Sequence, residues 1–100
     1  MQGKKTNKEL PMLEKYRKEI DKIDGELGKK LLERVKVIKK IAKYKNQHSL
    51  DTRDQRREKL ILKRFKSPFQ RAIFKEILEQ SREIQNSQAK SQAVSLKKKV

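Results

Sequence analysis

A single stripe of apolar residues runs along the first long stretch of the chain. From Leu13 to about Lys45, apolar side chains recur at steps of three and four, the spacing of one helix face. Gly25 and Gly28 weaken this helix by about 1 kcal/mol each relative to Ala, but no proline breaks it. The pattern therefore predicts one long helix. Its stripe consists of Leu13, Tyr16, Ile20, Ile23, Leu27, Leu31, Val35, Ile38 and Ala42.

The length of this helix predicts self-association. A helix over residues 13–45 is about 50 Å long, whereas a compact chain of this size has a radius of gyration of about 13 Å. One end of the stripe would therefore stay exposed in a monomer. The simplest cover for it is a second copy of the chain packed alongside.

Two shorter helices follow. Residues 46–49 are a polar break, and Thr52 with Gln55 has the spacing of a capping box, which predicts a second helix from about Thr52. The start of the third helix is clearer, because Ser67 fits an N-cap, Pro68 fits the first helical position and Gln70 fits the third. This helix is expected to reach about residue 88.

The predicted fold class is therefore all-α, with a long, a short and a medium helix and no competing strand pattern. We expect residues 1–12 to be a flexible N-terminal segment, 13–88 a helical domain, and 89–100 a flexible basic tail rich in Ser, Gln and Lys.

Composition narrows the class of function. The 100 residues contain 42% charged side chains and a net charge of +16, which first suggests a nucleic acid or another polyanion as partner. There is no cysteine and one histidine, so neither a disulfide framework nor a thiolate metal site is possible. No apolar run is long enough to cross a membrane, and no signal peptide is recognisable, so a cytoplasmic location is expected.

The apolar stripe of the third helix continues into polar residues. Leu78 is followed by Ser81 and Gln85 at steps of three and four, so the two polar side chains lie one turn apart on one face. The simpler interpretation is a stripe that fades towards a helix end. The alternative is the floor of a pocket with neutral hydrogen-bonding groups.

The second helix carries Asp54, Arg57 and Glu58, which are neighbours on its surface. A local ion pair worth a few tenths of a kcal/mol is the simpler interpretation. On the first helix, Arg34 and Lys45 lie about 16 Å apart along the axis and within about 20° of one face. Two long side chains placed in this way could contact one small ligand.

Arg17 is placed differently. It precedes Arg34 by about 25 Å along the helix and lies about 100° round it. It is too far away to reach the same ligand within its own chain, so any ligand site that it serves belongs to a partner subunit. For each single cation, a solvated surface charge is the simpler interpretation.

Taken in order, these residues resemble the all-helical (AroQ-class) chorismate mutases over residues 13–88. The resemblance is specific because identities and spacings agree across three helices. It rests on the stretches Arg17-x-x-Ile20-Asp21-x-Ile23-Asp24-x-x-Leu27, Leu31-Leu32-Glu33-Arg34, Ile41-Ala42-Lys43-Tyr44-Lys45, Asp54-x-x-Arg57-Glu58 and Ile77-x-x-x-Ser81-x-x-x-Gln85.

The resemblance implies an intertwined helical homodimer with two active sites, each of which takes one arginine, Arg17, from the other chain. The implied reaction is the Claisen rearrangement of chorismate to prephenate in phenylalanine and tyrosine biosynthesis. It is unimolecular and needs no cofactor and no metal. The enzyme must hold the dicarboxylate in a compact chair-like conformer and stabilise the charge that develops on the ether oxygen.

The resemblance also implies roles for the carboxylate-binding residues. The partner subunit's Arg17 and Arg34 would hold the two carboxylates of the substrate by charge-assisted hydrogen bonds. Arg57 with Ser81 would support one carboxylate end.

The remaining roles concern the reacting bond and the ring. Lys45 and Gln85 would donate to the ether oxygen, and Glu58 would accept from the ring hydroxyl. Asp54 either helps to anchor that hydroxyl or orients Arg57. The residues expected to be catalytic are Arg34, Lys45, Glu58 and Gln85. Because an amide does not titrate, a broad neutral activity optimum is expected.

The chain departs from the family in the turn before Asp54, where many members carry Gly or Pro. Here residues 48–53 read His-Ser-Leu-Asp-Thr-Arg, and the link around Lys66 and Ser67 is short. All the matched functional positions are present.

Two alternatives remain. An isochorismate-pyruvate lyase on the same scaffold would bind a similar dianion with similar cations. A basic helical nucleic-acid-binding protein would account for the charge. It is disfavoured because the chain has no arginine-rich run, few aromatic residues and no recognition-helix motif.

Overall fold

The computed structural model describes the backbone of residues 10–98 and the side chains of residues 10–90. It contains the helices α1 (Pro11–Gln47), α2 (Gln55–Lys63) and α3 (Pro68–Lys98). The described residues form no strand, so the all-α prediction is confirmed. The chain divides into two units, one up to Glu33 and one from Arg34, which are described separately.

The first unit consists, within the described residues, of the N-terminal part of α1. This helix begins at Pro11, two residues before the predicted start, because proline is well suited to the first helical position. The apolar stripe of this unit is exposed along its whole length: Leu13 is 37% exposed and Ile20 is 55% exposed. A single helix has no other element on which to bury such a stripe.

The end of α1 lies in the second unit. The helix ends at Gln47, and the chain reverses through Ser49, whose φ is 55°. The backbone N–H of Leu50 donates to the carbonyl of Lys45 at 2.8 Å, and that of Ser49 donates to Asn46 at 3.5 Å. This pair of bonds is a Schellman motif, in which the left-handed position usually holds glycine. Ser49 thus adopts a conformation that favours glycine.

The start of α2 differs from the prediction. The N-cap is Asp54, whose Oδ1 accepts from the backbone N–H of Arg57 at 2.9 Å, and the helix begins at Gln55. The predicted start near Thr52 was wrong, because Asp is a stronger N-cap residue than Thr and Asp54 caps the helix instead.

The start of α3 confirms the prediction. Ser67 precedes Pro68, and its Oγ accepts from the backbone N–H of Gln70 at 3.5 Å. The short link between α2 and α3 is held by hydrogen bonds from Arg71. Its Nη1 donates to the backbone carbonyls of Phe65 and Lys66, each at 2.8 Å.

The end of α3 required correction. The helix continues to Lys98, beyond the predicted end near residue 88. Residues 89–98 contain neither Gly nor Pro, and Ala, Gln, Lys and Leu all extend a helix at little cost. The segment was therefore wrongly separated from the helix. The flexibility expected of residues 1–9, 99 and 100 concerns residues outside those described.

The second unit has a small core between its helices. Ile38 and Ala42 of α1 and Leu78 of α3 are buried. Phe65, just after α2, stacks on Phe74 of α3 with ring centroids 4.0 Å apart. This core holds the three helix segments of the unit around one pocket. None of the described helices is long and apolar enough to cross a membrane.

Candidate active site

A pocket of about 360 Å³ lies between the three helix segments of the second unit. Its wall combines apolar side chains from the core with a ring of polar and charged ones. The lining residues are Arg34, Val37, Ile38, Ile41, Lys45, Thr52, Asp54, Arg57, Glu58, Ile61, Leu78, Ser81, Arg82 and Gln85.

Seven of the eight residues singled out in the sequence line this pocket. They come from α1, from α2 with its N-cap, and from α3, and they are Arg34, Lys45, Asp54, Arg57, Glu58, Ser81 and Gln85. The eighth, Arg17, belongs to the first unit and is not among the lining residues.

The two neutral residues of α3 form the floor of the pocket. Ser81 is 6% exposed and Gln85 is 7% exposed, and they are the buried polar residues of the described chain. Such burial requires hydrogen-bond partners. Both have them, so the stripe does not fade at the helix end but continues as polar groups that face the pocket.

Lys45 is held by two acceptors. Its Nζ donates to the backbone carbonyl of Thr52 at 2.7 Å and to Oε1 of Gln85 at 3.1 Å. Because an ammonium group only donates, it fixes the oxygen of the Gln85 amide towards itself. The third N–H of Lys45 and the amide nitrogen of Gln85 are then the donors that this pair can offer to a ligand.

Arg34 is held by the other floor residue. Its Nη1 donates to Oγ of Ser81, and that hydroxyl in turn donates to the carbonyl of Ile77 at 2.7 Å. In the sequence we expected Ser81 to act with Arg57; in the structure its hydroxyl accepts from Arg34. The chain of bonds fixes the guanidinium at the pocket wall.

The electrostatics around Arg34 favour an anion. Burial lowers the pKa of Arg34, and the nearby Arg57 lowers it further. Both effects disfavour positive charge at this point, so an anionic ligand that neutralises the two guanidinium groups would relieve them. The N-cap bond from the backbone N–H of Arg57 to Asp54 fixes the first turn of α2, which carries Arg57.

Glu58 is the centre of an ion-pair network. Its Oε2 accepts from Nη1 of Arg82 at 2.7 Å, and its Oε1 lies 3.4 Å from Nε of Arg53. The sequence analysis missed Arg82. A signal for it existed, because Arg82 lies four residues after Leu78 and so belongs to the face of α3 that carries the pocket residues.

The charges of the lining leave the pocket positive. Four cations face two carboxylates, which leaves a surplus of two positive charges beside an apolar wall. The charged residues are Arg34, Lys45, Arg57 and Arg82 against Asp54 and Glu58. An all-helical pocket of this kind is suited to a small organic dianion.

Comparison with known proteins gives the family. The family model described as chorismate mutase type II matches residues 16–86, and the chain belongs to this family. The protein is thus a chorismate mutase, an isomerase whose substrate is chorismate. Neither the comparison with curated proteins nor that with solved structures gives a match.

Proposed function

We propose that the chain acts as a homodimeric chorismate mutase in which each active site combines the pocket of one chain with Arg17 of the other. One observation carries this proposal. Seven residues that the sequence singles out on three separate helices line the same pocket. The functional domain in this proposal comprises residues 13–88, and the family match over residues 16–86 supports it.

The reaction that the site must catalyse is a rearrangement within one molecule. The ether C–O bond of chorismate breaks while a C–C bond forms, so atoms and electrons balance without a cofactor. The apolar wall and the fixed cations would hold the two reacting ends together in the chair-like conformer. As the C–O bond lengthens, the oxygen gains negative charge and needs preorganised donors.

Lys45 and Gln85 are the donors to this oxygen. Lys45 is fixed by the Thr52 carbonyl, and Gln85 is fixed by Lys45, so both keep their direction before the substrate arrives. Because neither has to reorganise in the transition state, the pair stabilises the developing charge efficiently.

The two carboxylates of chorismate bind to arginines. Arg34, held by Ser81, takes one carboxylate in a charge-assisted bond, and Arg57 supports a carboxylate end beside it. The pocket wall of one chain supplies these two guanidinium groups. The partner subunit's Arg17 completes the carboxylate site from the other chain.

The dimer is supported by the exposed stripe of α1. Tyr16, Ile20, Ile23 and Leu27 are each more than half exposed in the single chain. A contiguous apolar stripe of this length marks a protein–protein contact, and a second α1 would cover it. The same contact would carry Arg17 to the partner's pocket.

Glu58 accepts a hydrogen bond from the ring hydroxyl of chorismate. Asp54 acts through the helix cap, because its carboxylate already accepts from the backbone N–H of Arg57. A place in phenylalanine and tyrosine biosynthesis follows from the reaction. The cytoplasmic location stays a prediction.

The direct test incubates the purified protein with chorismate and follows its disappearance and the formation of prephenate. Prephenate formation that is lost in Arg34→Ala supports the proposal. Parallel incubation with isochorismate tests the lyase alternative through salicylate release. Salt-dependent binding of DNA or RNA without chorismate turnover would contradict the proposal and favour the nucleic-acid alternative.

A further inference from the structure

The wall of the pocket contains one cation that the family resemblance does not include. Arg82 follows Ser81 on α3, and its side chain is 25% exposed. Most of the lysines and arginines among residues 10–90 are exposed at the surface, but Arg82 lines the pocket and donates to Glu58 at 2.7 Å.

The two cations bound to Glu58 differ in their surroundings. The Glu58 side chain is 15% exposed, and its carboxylate is 2.7 Å from Arg82, whereas the Arg53 side chain is 54% exposed and 3.4 Å away. An exposed pair is screened by water, and a sheltered pair with short geometry is much stronger. Arg82 is therefore the partner that determines where the Glu58 carboxylate points.

The geometry of the pair leaves Glu58 able to bind a further donor. Each carboxylate oxygen has two lone pairs, so Oε2 can accept from Arg82 while Oε1 accepts from a ligand hydroxyl. Without Arg82, the side chain of Glu58 could rotate away, and a carboxylate at the pocket wall would lose its closest counter-charge.

We propose that Arg82 is a positioning residue that holds the Glu58 carboxylate in the orientation in which it accepts the ring hydroxyl of chorismate. This inference rests on the proposed function of Glu58. The hydroxyl is present in both the substrate and the transition state, so the contact contributes to binding in both. Loss of Arg82 should therefore raise KM more than it lowers kcat.

The first experiment compares Arg82→Met with Arg82→Lys. Methionine keeps an unbranched chain but cannot donate, so kcat/KM should fall by about tenfold, mainly through KM. Lysine restores a cation, so the kcat/KM of Arg82→Lys should lie within about threefold of that of the parent. The matched control is Lys75→Met, an exposed cation on the same helix, which should leave both constants unchanged.

Two measurements separate positioning from direct substrate contact. In a Glu58→Ala background, Arg82→Met should cause no further loss of kcat/KM, because its target is gone. Should Glu58→Ala be too slow to assay or fail to fold, a chorismate analogue with hydrogen in place of the ring hydroxyl serves as a competitive inhibitor. Its inhibition constant should be the same for the parent and for Arg82→Met.

The outcomes distinguish the inference from the function on which it rests. Absence of chorismate turnover in the parent would overturn the proposed function. Normal turnover with an unaffected Arg82→Met variant would overturn the role of Arg82 alone. A further loss in the Glu58→Ala background, or weaker inhibition by the analogue, would overturn positioning through Glu58 and favour direct contact of Arg82 with the substrate.

Discussion

Lys45 of α1 and Gln85 of α3 are joined by a hydrogen bond of 3.1 Å in which the ammonium group donates to the amide oxygen. This bond holds the amide oxygen of Gln85 against Lys45. The amide nitrogen, which is a hydrogen-bond donor, therefore points away from Lys45. Because an amide does not titrate, the ability of Gln85 to donate does not change with pH.

We predict that Gln85→Glu changes the pH dependence of activity. At neutral pH the new carboxylate accepts but cannot donate, so kcat/KM should fall by about 10²–10³. Protonation restores a donor, so the activity of the variant should rise as the pH falls towards the ordinary carboxyl range of about 4–5. The parent should keep a broad neutral optimum. The measurement is kcat/KM against pH.

The control for this variant is Gln70→Glu, the same chemical change at an exposed position in the first turn of α3. It should leave the pH profile of the parent unchanged. Activity of the parent confined to acid pH would contradict the role of Gln85 as a neutral donor.

A second prediction concerns Asp54 and its bond to the backbone of Arg57. Asp54→Ala should destabilise the protein by about 1 kcal/mol, because the N-cap of α2 is lost. Asn keeps an oxygen that can cap, so Asp54→Asn should retain both the stability and, within about threefold, the activity. Urea unfolding and chorismate turnover check the two expectations. A stable Asp54→Asn variant with a large loss of activity would show that the carboxylate itself contacts the substrate.

A third prediction concerns the turn after α1. Ser49 has a φ of 55°, a region that costs an L-residue roughly 1 kcal/mol and costs glycine almost nothing. Ser49→Gly should therefore raise the free energy of unfolding by up to about 1 kcal/mol, measured at fixed protein concentration. Lys43→Gly, at an exposed position inside α1, is the control and should lower it by a similar amount. A destabilised Ser49→Gly variant would contradict the account of this turn.

The exposed stripe of α1 allows a fourth prediction. Ile20→Glu places a charge in the proposed subunit contact and should shift the protein towards monomers in sedimentation velocity, with loss of activity. Lys18 lies about 160° round the helix from both Tyr16 and Ile20, so Lys18→Glu should leave the sedimentation coefficient unchanged. Equal behaviour of the two variants would argue against a contact through this face.

The helices were predictable because their apolar residues follow a simple periodicity, whereas most of the site was predictable because its residues resemble those of a known family in identity and spacing. The steps of three and four define one apolar face on α1 and one on α3, and Ser81 and Gln85 continue the face of α3 beyond Leu78. The pattern alone left open whether this face fades or forms a pocket floor; the burial of both residues and their hydrogen bonds decide for the floor.

The parts that were not predictable depend on competition between similar local signals. Thr52 and Asp54 are both good caps, and only the packed chain selects one of them. Ser49 gives no sign of a left-handed turn, since the bonds to Lys45 and Asn46 arise only after α1 has formed. The position of Arg82 on the pocket face of α3 was visible in the sequence, but its pairing with Glu58 was not, because the pair forms only when α2 and α3 pack together.

The most direct test of the shared site uses two variants, Arg17→Ala and Arg34→Ala, each of which should be nearly inactive alone. Unfolded together in equal amounts and refolded, they form mixed dimers in which one of the two sites receives both an intact Arg17 and an intact Arg34. With random pairing, the mixture should recover about a quarter of the parent activity. Mixing the two variants after separate refolding, without subunit exchange, is the control and should give no recovery. Failure of the co-refolded mixture to regain chorismate turnover would contradict the contribution of Arg17 across the dimer.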